Sequence, residues 1–370
     1  MTGGLVAGPS VGFGFLGAGN IARTALGPAV HAADGAHLQA AAARDASRAA
    51  ALGPAGRSYD DYAALLTDDT VDVVYVSLAN DGHAPWAVAA LEAGKHVLCE
   101  KPLGLDTAEV RRMTDAAAAA DRLLVEAFWY RWHPRTQRAI QLITSGALGR
   151  VHRVETEFSF DGDFDGEAAG NYRLDAAKGG GALYDVGCYA VDAARWALGA
   201  GALEVQSAQG TVRDGVDVQA SARLGAPDGS VADVRCGIRG HDEELVAVYG
   251  EDATLVLGRP SFMARDVPVS LHVVPVTQAA PEPAASTGPA ASTDPPPQPV
   301  VVRVERRTEE FAPVDPYRLM VEAVSRAVRG GDEWLPTAQD SLDIALVLEQ
   351  VRTRVHAQVQ APVRSAGGAA

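Results

Sequence analysis

The sequence predicts an α/β fold joined to an α+β fold: an N-terminal doubly wound parallel sheet, then a domain built on an open, mostly antiparallel sheet. Three observations predict it. The 370 residues exceed what one hydrophobic core usually holds, so two domains are expected. Residues 1–125 alternate short apolar runs with Ala-rich helical stretches, the pattern of parallel strands covered on both faces. From about Gly149 the texture changes to longer alternating runs, which suit a sheet with one face open to solvent or to a partner.

In order along the first domain, strands are expected at Gly12–Leu16, His37–Ala43, Val71–Leu78, His96–Cys99 and Arg122–Ala127. Helices near 20–33, 45–52, 82–93 and 106–120 connect them. In the second domain Val151–Phe160, Gln206–Arg213 and Val231–Ile238 alternate as strands do. Helical periodicity returns at Pro316–Arg329, with Leu319, Ala323 and Ala327 inward, and at Ala338–Ala357, with Leu342, Ala345, Leu346 and Val351 inward. Between them, residues 278–299 are rich in Pro, Ala, Ser and Thr and predict a mobile loop, because they have little apolar surface to bury. The expected division is a dinucleotide-binding domain at 1–128, a substrate-binding and oligomerisation domain at 129–360, and a tail at 361–370.

Hydrophobic residues make up 47% and charged residues 21%, the balance of a globular chain with a core. The formal charge of −15 would repel a polyanion, so nucleic acid is not an expected partner. No run of about 18 apolar residues occurs, and the opening MTGGLVAGPS lacks the basic region and twin arginines of an export signal. No membrane association and a cytoplasmic location are the expectation. Cys99, Cys188 and Cys236 are odd in number and far apart, which suggests neither a disulfide framework nor a metal site.

The strongest local motif is Gly17-Ala18-Gly19-Asn20-Ile21-Ala22, between an apolar strand and a helix. Gly17 permits a tight turn, Gly19 lets a pyrophosphate approach backbone N–H groups, and Ala22 allows close helix–strand packing. Such a turn is the dinucleotide fingerprint of a Rossmann domain. Where an NAD-binding fold usually carries an acid for the ribose 2′-OH, this chain has Ala43 followed by Arg44. Arg44 suits the 2′-phosphate of NADP, with NAD as the other possibility. The competing reading makes Arg44 a solvated side chain and Asp45 a helix N-cap.

At Glu100-Lys101-Pro102 a buried strand ends in a charged pair, and Pro102 keeps Lys101 out of helical geometry. Its ammonium is thereby delivered to the sheet edge where ligands of such folds bind. A second motif, Gly179-Gly180-Gly181-Ala182-Leu183-Tyr184-Asp185-Val186-Gly187-Cys188-Tyr189, reads as a turn into a helix. On that helix Asp185 and Tyr189 point the same way, followed by Asp192 and Trp196. A carboxylate and a phenol beside a lysine form a proton-handling set, in which the ammonium stabilises a phenolate.

Together these residues resemble the Gfo/Idh/MocA oxidoreductases over nearly the whole chain. The carriers are GAGNIA at 17–22, SLANDGH at 77–83, AGKHVLCEKPLG at 93–104, EAFWYRWHP at 126–134, NYRLD at 171–175 and GGGALYDVGCYAVDAARW at 179–196. The resemblance implies a Rossmann domain with NADP or NAD held by Gly17, Gly19, Asn20, Ile21, Ala22, Arg44, Asn80, His83, Glu100, Lys101 and Pro102. It implies that Lys101 contacts the reacting oxygen and that Asp185 orients the substrate or cofactor. It also implies a homodimer or homotetramer through the flat face of the second sheet.

Many members have His where this chain has Tyr189. Tyrosine there is similar to the branch of glucose–fructose oxidoreductase, the dimeric dihydrodiol dehydrogenases and NADP-xylose dehydrogenases, in which Tyr189 would be the acid/base. Ala79 stands where a Pro is common, and no export signal precedes the first strand. Tyr130, Arg131, Tyr172 and Arg173, with His133, would frame the substrate hydroxyls, while Trp129 and Trp132 read as interdomain core. For His83 a helix-start role competes with one near the nicotinamide.

The activity implied is hydride transfer between NADP(H) and a hydroxyl-bearing carbon of an aldose, pyranose or related polyol. A trans-dihydrodiol or dicarbonyl substrate is the alternative. A non-catalytic dinucleotide or sugar sensor is the alternative of another class, and the presence of Lys101, Asp185 and Tyr189 together speaks for an enzyme.

Overall fold

The short apolar runs of the first half form a six-stranded parallel sheet in a computed structural model that describes residues 10–162, 164, 171–276 and 306–360. The tract 278–299 and the tail 361–370 lie outside the described residues. The strands are β1 (Val11–Leu16), β2 (Ala36–Ala42), β3 (Ser58–Tyr59), β4 (Val73–Val76), β5 (His96–Cys99) and β6 (Leu124–Glu126), in the order β3-β2-β1-β4-β5-β6. Chain order reverses between β1 and β4, which opens a crevice at the carboxyl ends of the strands. Five strands fall where the apolar runs predict them, although Val71–Leu78 is trimmed to Val73–Val76. The pair β3 and α3 (Tyr62–Leu66) is unpredicted, since a two-residue strand has no periodicity to read.

Helices α1 (Gly27–Ala32), α2 (Ala46–Ala50), α4 (His83–Glu92) and α5 (Thr107–Ala120) cover the sheet. The first of these continues a helix that begins at Asn20 and passes through a π-turn at Ala22–Leu26. Pro28, one turn on, has no N–H to offer Thr24 O, and Arg265 from the second domain donates to that carbonyl instead at 2.8 Å. A proline in the helix that follows the glycine turn thus becomes an anchor point for the second domain.

The second sheet has eight strands: β7 (Val151–Ser159), β8 (Glu204–Arg213), β9 (Val216–Gly225), β10 (Val231–Gly237), β11 (Glu243–Gly250), β12 (Ala253–Leu257), β13 (Val269–Pro275) and β14 (Arg307–Phe311). Their order is β14-β13-β12-β11-β7-β10-β9-β8, antiparallel except for the central β7–β10 pair. Asp214 and Gly215, both at positive φ, make the tight turn between β8 and β9.

Helices α6 (Pro134–Thr144), α7 (Cys188–Leu198) and α9 (Ala338–Gln360) contact this second sheet. Its alternate residues carry cross-strand ion pairs: Arg153 and Arg223 each 3.0 Å from Asp233, and Arg235 2.6 Å from Glu157. Helix α9 also packs on α5, and α8 (Pro316–Val328) packs on α1. Sequence order assigns α8 and α9 to the second domain, but in space both reach back to the first.

Candidate active site

A cavity of about 1020 Å³ runs from the Gly17–Ile21 turn, past the ends of β4 and β5, to the loop after β12. Its first wall is the glycine turn. Gly17 has φ +101°, and a Cβ there would sit 2.2 Å from Ser77 O, so only glycine lets this turn pass the end of β4. Gly19 differs: a Cβ there would meet nothing within 4 Å, because the residue faces the open cavity. The backbone above Gly19 is therefore a cradle with room for a phosphate group. Arg44 and Arg48 line the same end. Arg48 donates to Ala18 O at 2.9 Å, whereas the guanidinium of Arg44 has no partner among the described residues. Asp45 caps α2 by accepting from Ser47 N, as the competing reading has it, and Arg44 is exposed at the rim of the cavity. These features fit a dinucleotide with an extra phosphate beside Arg44.

The middle of the cavity holds the charged groups. Lys101 Nζ donates to Asp185 O at 2.6 Å and lies 3.4 Å from Asp185 Oδ1, with the ammonium 5.2 Å from the centroid of the Tyr189 ring. Arg173 Nε donates to the other carboxylate oxygen, Oδ2, at 2.6 Å. Burial opposes charge on both members of the Lys101–Asp185 pair, yet their mutual attraction outweighs it: the lysine pKa is raised and the aspartate pKa lowered, the latter with help from Arg173. Both stay ionised. Tyr189 OH accepts from Trp129 Nε1 at 2.9 Å. Burial pushes the phenol well above its ordinary value of 10.0, and Tyr317, Glu100 and Cys188 push the same way. The expectation that Lys101 stabilises a phenolate is corrected here, because the ammonium lies over the ring and the buried Tyr189 stays protonated.

The helix presenting these groups begins at Ala182 and contains a second π-turn, Leu183–Gly187, a feature often found at functional sites. Its start is fixed by the fully buried Asp217 of β9, whose Oδ2 accepts from Leu183 N at 2.7 Å. Three contacts secure the Rossmann loops around it. Asn80 Nδ2 donates to Gly179 O at 2.8 Å, and Tyr75 OH donates to Glu100 Oε1 at 2.6 Å. His83 Nδ1 lies 2.8 Å from Pro102 O. Burial lowers the His83 pKa to about 4, so its ring is a neutral brace. His83 is also the first residue of α4, in keeping with the helix-start reading, and it lines the cavity.

Of the residues expected at the cofactor, Gly17, Gly19, Asn20, Ile21, Arg44, Asn80, His83, Glu100 and Lys101 line the cavity. Ala22 and Pro102 lie behind its wall, Ala22 in the core and Pro102 as the carbonyl facing His83. Of the expected substrate residues, Lys101, Tyr172, Arg173, Asp185 and Tyr189 line it, but Tyr130 and Arg131 do not. Tyr130 OH donates to Asp192 and accepts from Trp196 Nε1, while Arg131 is 2.7 Å from the same carboxylate. That buried network takes up the Tyr130 hydroxyl and one Arg131 nitrogen and turns both side chains away from the cavity. His133 is likewise buried, accepting from Arg135 N. Trp129, read as interdomain core, is buried in the core and also lines the cavity, stacked on Tyr317 at 4.6 Å.

Sequence reasoning missed the far wall altogether: Phe158, Phe160, Asp242, Glu243, Arg259 and Met263 among others. No local motif marks them, because β7, β11 and the loop after β12 meet only through the sheet. Arg135 holds that loop by donating to Gly258 O, Pro260 O and Ser261 O at 2.6, 2.8 and 2.7 Å. No cluster of possible metal ligands occurs among the described residues. None of their helices is long and apolar enough to cross a membrane.

Comparison with known proteins agrees with this geometry. The chain is 35% identical over 346 residues, 92% of its length and 95% of the relative's, to a D-xylose 1-dehydrogenase (NADP(+)) of Haloferax volcanii. It is 30% identical over 347 residues, 92% of its length and 94% of the relative's, to dTDP-3,4-didehydro-2,6-dideoxy-alpha-D-glucose 3-reductase of Actinomadura kijaniata. A crystal structure of a 3-ketoreductase from that organism with NADP and TDP-benzene superposes with a TM-score of 0.78 at 26% identity, covering 94% of this chain and 98% of the other. Residues 11–128 match the oxidoreductase family with an NAD-binding Rossmann fold, and residues 136–256 match the Gfo/Idh/MocA C-terminal domain. The cradle, the charged centre and these matches agree, and the chain belongs to the Gfo/Idh/MocA family of oxidoreductases.

Proposed function

We propose that this enzyme transfers hydride between NADP and a hydroxyl-bearing carbon of a sugar, with Lys101 and Tyr189 handling the oxygen and its proton. The single observation that carries the reading is the convergence of Lys101, Asp185 and Tyr189 in one cavity with the Gly19 cradle and Arg44. Gly17 to Ile21 would hold the pyrophosphate and Arg44 the 2′-phosphate of NADP, which supplies or accepts the hydride when bound. Relatives acting with NADP on xylose, or solved with NADP, support the same cofactor and a sugar substrate.

The charged groups divide the work. Asp185, ion-paired on both oxygens, fixes Lys101 and Arg173 in place. The lysine ammonium polarises the substrate oxygen, and the Tyr189 hydroxyl, with its lone pair taken by Trp129 Nε1–H, has its own proton to give. A neutral phenol donates readily to a carbonyl under reduction. In oxidation it must first lose its proton, so that direction calls for alkaline conditions. Three buried free thiols support a reducing, cytosolic compartment, and the sheet face on which Arg153, Arg223 and Arg235 stay half-exposed supports a homo-oligomer.

The test is spectrophotometric. Purified protein with NADP or NADPH is screened at the nicotinamide absorbance against aldoses, inositols, trans-diols and keto-sugars. Turnover of a sugar is expected, faster for carbonyl reduction near neutral pH. Cofactor binding without turnover of any compound in either direction would return the chain to the sensor reading.

A further inference from the structure

Charge is distributed unevenly along the cavity. Arg44 and Arg48 line the end proposed for the cofactor, and in the centre the two cations Lys101 and Arg173 share the one carboxylate of Asp185. The far wall carries three carboxylates in succession, Asp242, Glu243 and Glu244, against one guanidinium, Arg259, which is ion-paired with Glu243. These acids are held in place. Asp242 Oδ1 accepts from Asp161 N at 2.8 Å, and Glu244 Oε2 accepts from Met263 N at 3.0 Å. Beside them, Phe158, Phe160 and Met263 give the same wall an apolar platform.

Aromatic rings and carboxylates recognise different parts of a sugar: the rings cover its C–H face, and carboxylates accept from its hydroxyls. A diphosphate has the opposite needs. Its oxygens only accept hydrogen bonds, and they call for arginines, lysines or a helix N-terminus. Facing Asp242, Glu243 and Glu244, a diphosphate would meet like charge in a partly desolvated cleft.

We propose that the far wall formed by Asp242, Glu243, Glu244, Phe158 and Phe160 selects an uncharged free sugar or polyol and excludes nucleoside-diphosphate sugars. The inference rests on the oxidoreductase reading and narrows its substrate class. It separates this chain from the relative that reduces a dTDP-linked sugar, although the two share a fold.

The experiment has a binding arm and a turnover arm, both on the full chain saturated with NADP so that the cofactor site is filled. In calorimetry, thymidine diphosphate should bind no more tightly than millimolar. The double variant Asp242→Asn, Glu243→Gln, which frees Arg259 from its partner, should tighten that affinity by about tenfold or more, with the gain lost at high salt. Asp242→Asn alone keeps the acceptor oxygen for Asp161 N and provides a folded control, expected to show a smaller gain in the same direction. Micromolar binding of thymidine diphosphate to the wild-type protein, or no gain in either variant, overturns the proposal. In the turnover arm, free aldoses should react and dTDP-hexoses should not. Turnover of the nucleotide sugars alone sinks the proposal and leaves the oxidoreductase reading intact, whereas turnover of neither sinks both.

Discussion

Two glycine turns lead into helices that line the cavity, and in the sequence they look alike. Gly17-Ala18-Gly19 opens the cofactor helix, and Gly179-Gly180-Gly181 opens the helix bearing Asp185 and Tyr189. In space they do opposite jobs. A Cβ on Gly19 would meet nothing within 4 Å, whereas one on Gly180 would fall 2.5 Å from Arg173 O, and one on Gly181 2.5 Å from Asp217 Oδ1. At Gly19 the first turn omits a side chain to leave room for a ligand; at Gly180 and Gly181 the second omits them so that protein can close around itself. Rigidity follows the same division: the second turn fixes Arg173 and the charged centre, and the first leaves an open cradle.

The largest expected effect is on the closed side, at Tyr189. Tyr189→Phe keeps the ring but removes the proton-bearing hydroxyl, and kcat should fall by about 10²–10⁴ with NADP affinity retained. It also leaves Trp129 Nε1–H without its buried acceptor, so a stability loss of about 1–3 kcal/mol should appear in denaturant melts. Lys101→Met should cripple turnover by a similar factor. Since the two act on one oxygen, the double variant should be little worse than the poorer single one. A Tyr189→Phe enzyme with more than about half of wild-type kcat would reduce Tyr189 to a cavity wall. The pH profile adds a second check. Because burial holds the phenol well above 10.0, kcat/KM for oxidation should still be climbing at pH 10, while carbonyl reduction stays level through neutrality. An oxidation plateau near neutrality would mean that another group carries the proton.

Gly180→Ala comes next. The added methyl meets backbone atoms of Tyr172 and Arg173, which cannot rotate away, so overpacking should cost about 1–3 kcal/mol and lower the melting temperature. Displacing Arg173 loosens its grip on Asp185, so turnover should fall as well. Unchanged stability and turnover would show that the second turn is not closed as described.

Cofactor choice ranks below these. Replacing Arg44 by Ser and Ala43 by Asp exchanges a phosphate partner for a ribose hydroxyl acceptor, and the NADP-to-NAD affinity ratio should drop by about tenfold or more. Equal NADP affinity before and after would mean that Arg44 points at solvent when the cofactor is bound.

What the sequence made legible follows the same division of labour. The cofactor end rests on contiguous residues: a strand, GAGN and a helix start lie within a dozen positions, so its chemistry can be read locally. Lys101, Asp185 and Tyr189 could also be named, since each motif delivers its side chain at an element end. Tyr130 and Arg131 misled because polar residues flanking a motif reveal nothing about partners 61 and 62 positions away, and Asp192 claims both. The far wall was invisible for the same reason, being assembled from β7, β11 and a loop that Arg135 pins from 123 to 126 positions away. Local chemistry is readable where one segment supplies it, and tertiary contacts decide the rest.

The smallest effect on the fold, and the sharpest contrast with Gly180, is expected at Gly19. Its φ lies outside the left-handed region and its Cβ position is open, so alanine fits the backbone without strain. Restricting the unfolded chain should then leave the cofactor-free protein as stable as before, or more stable by about 0.4–1 kcal/mol. The methyl would nevertheless stand in the space where a pyrophosphate approaches the backbone N–H groups, so NADP affinity should weaken by about tenfold. Titrating NADP against the intrinsic fluorescence of Gly19→Ala, alongside a melt of the cofactor-free protein, reads both quantities. The two glycine-to-alanine changes should thus move stability in opposite senses, down at Gly180 and level or up at Gly19, while only Gly19→Ala changes cofactor affinity directly. If Gly19→Ala melts well below the wild type with NADP affinity intact, the first turn is packed like the second, and the cradle for the cofactor must lie elsewhere.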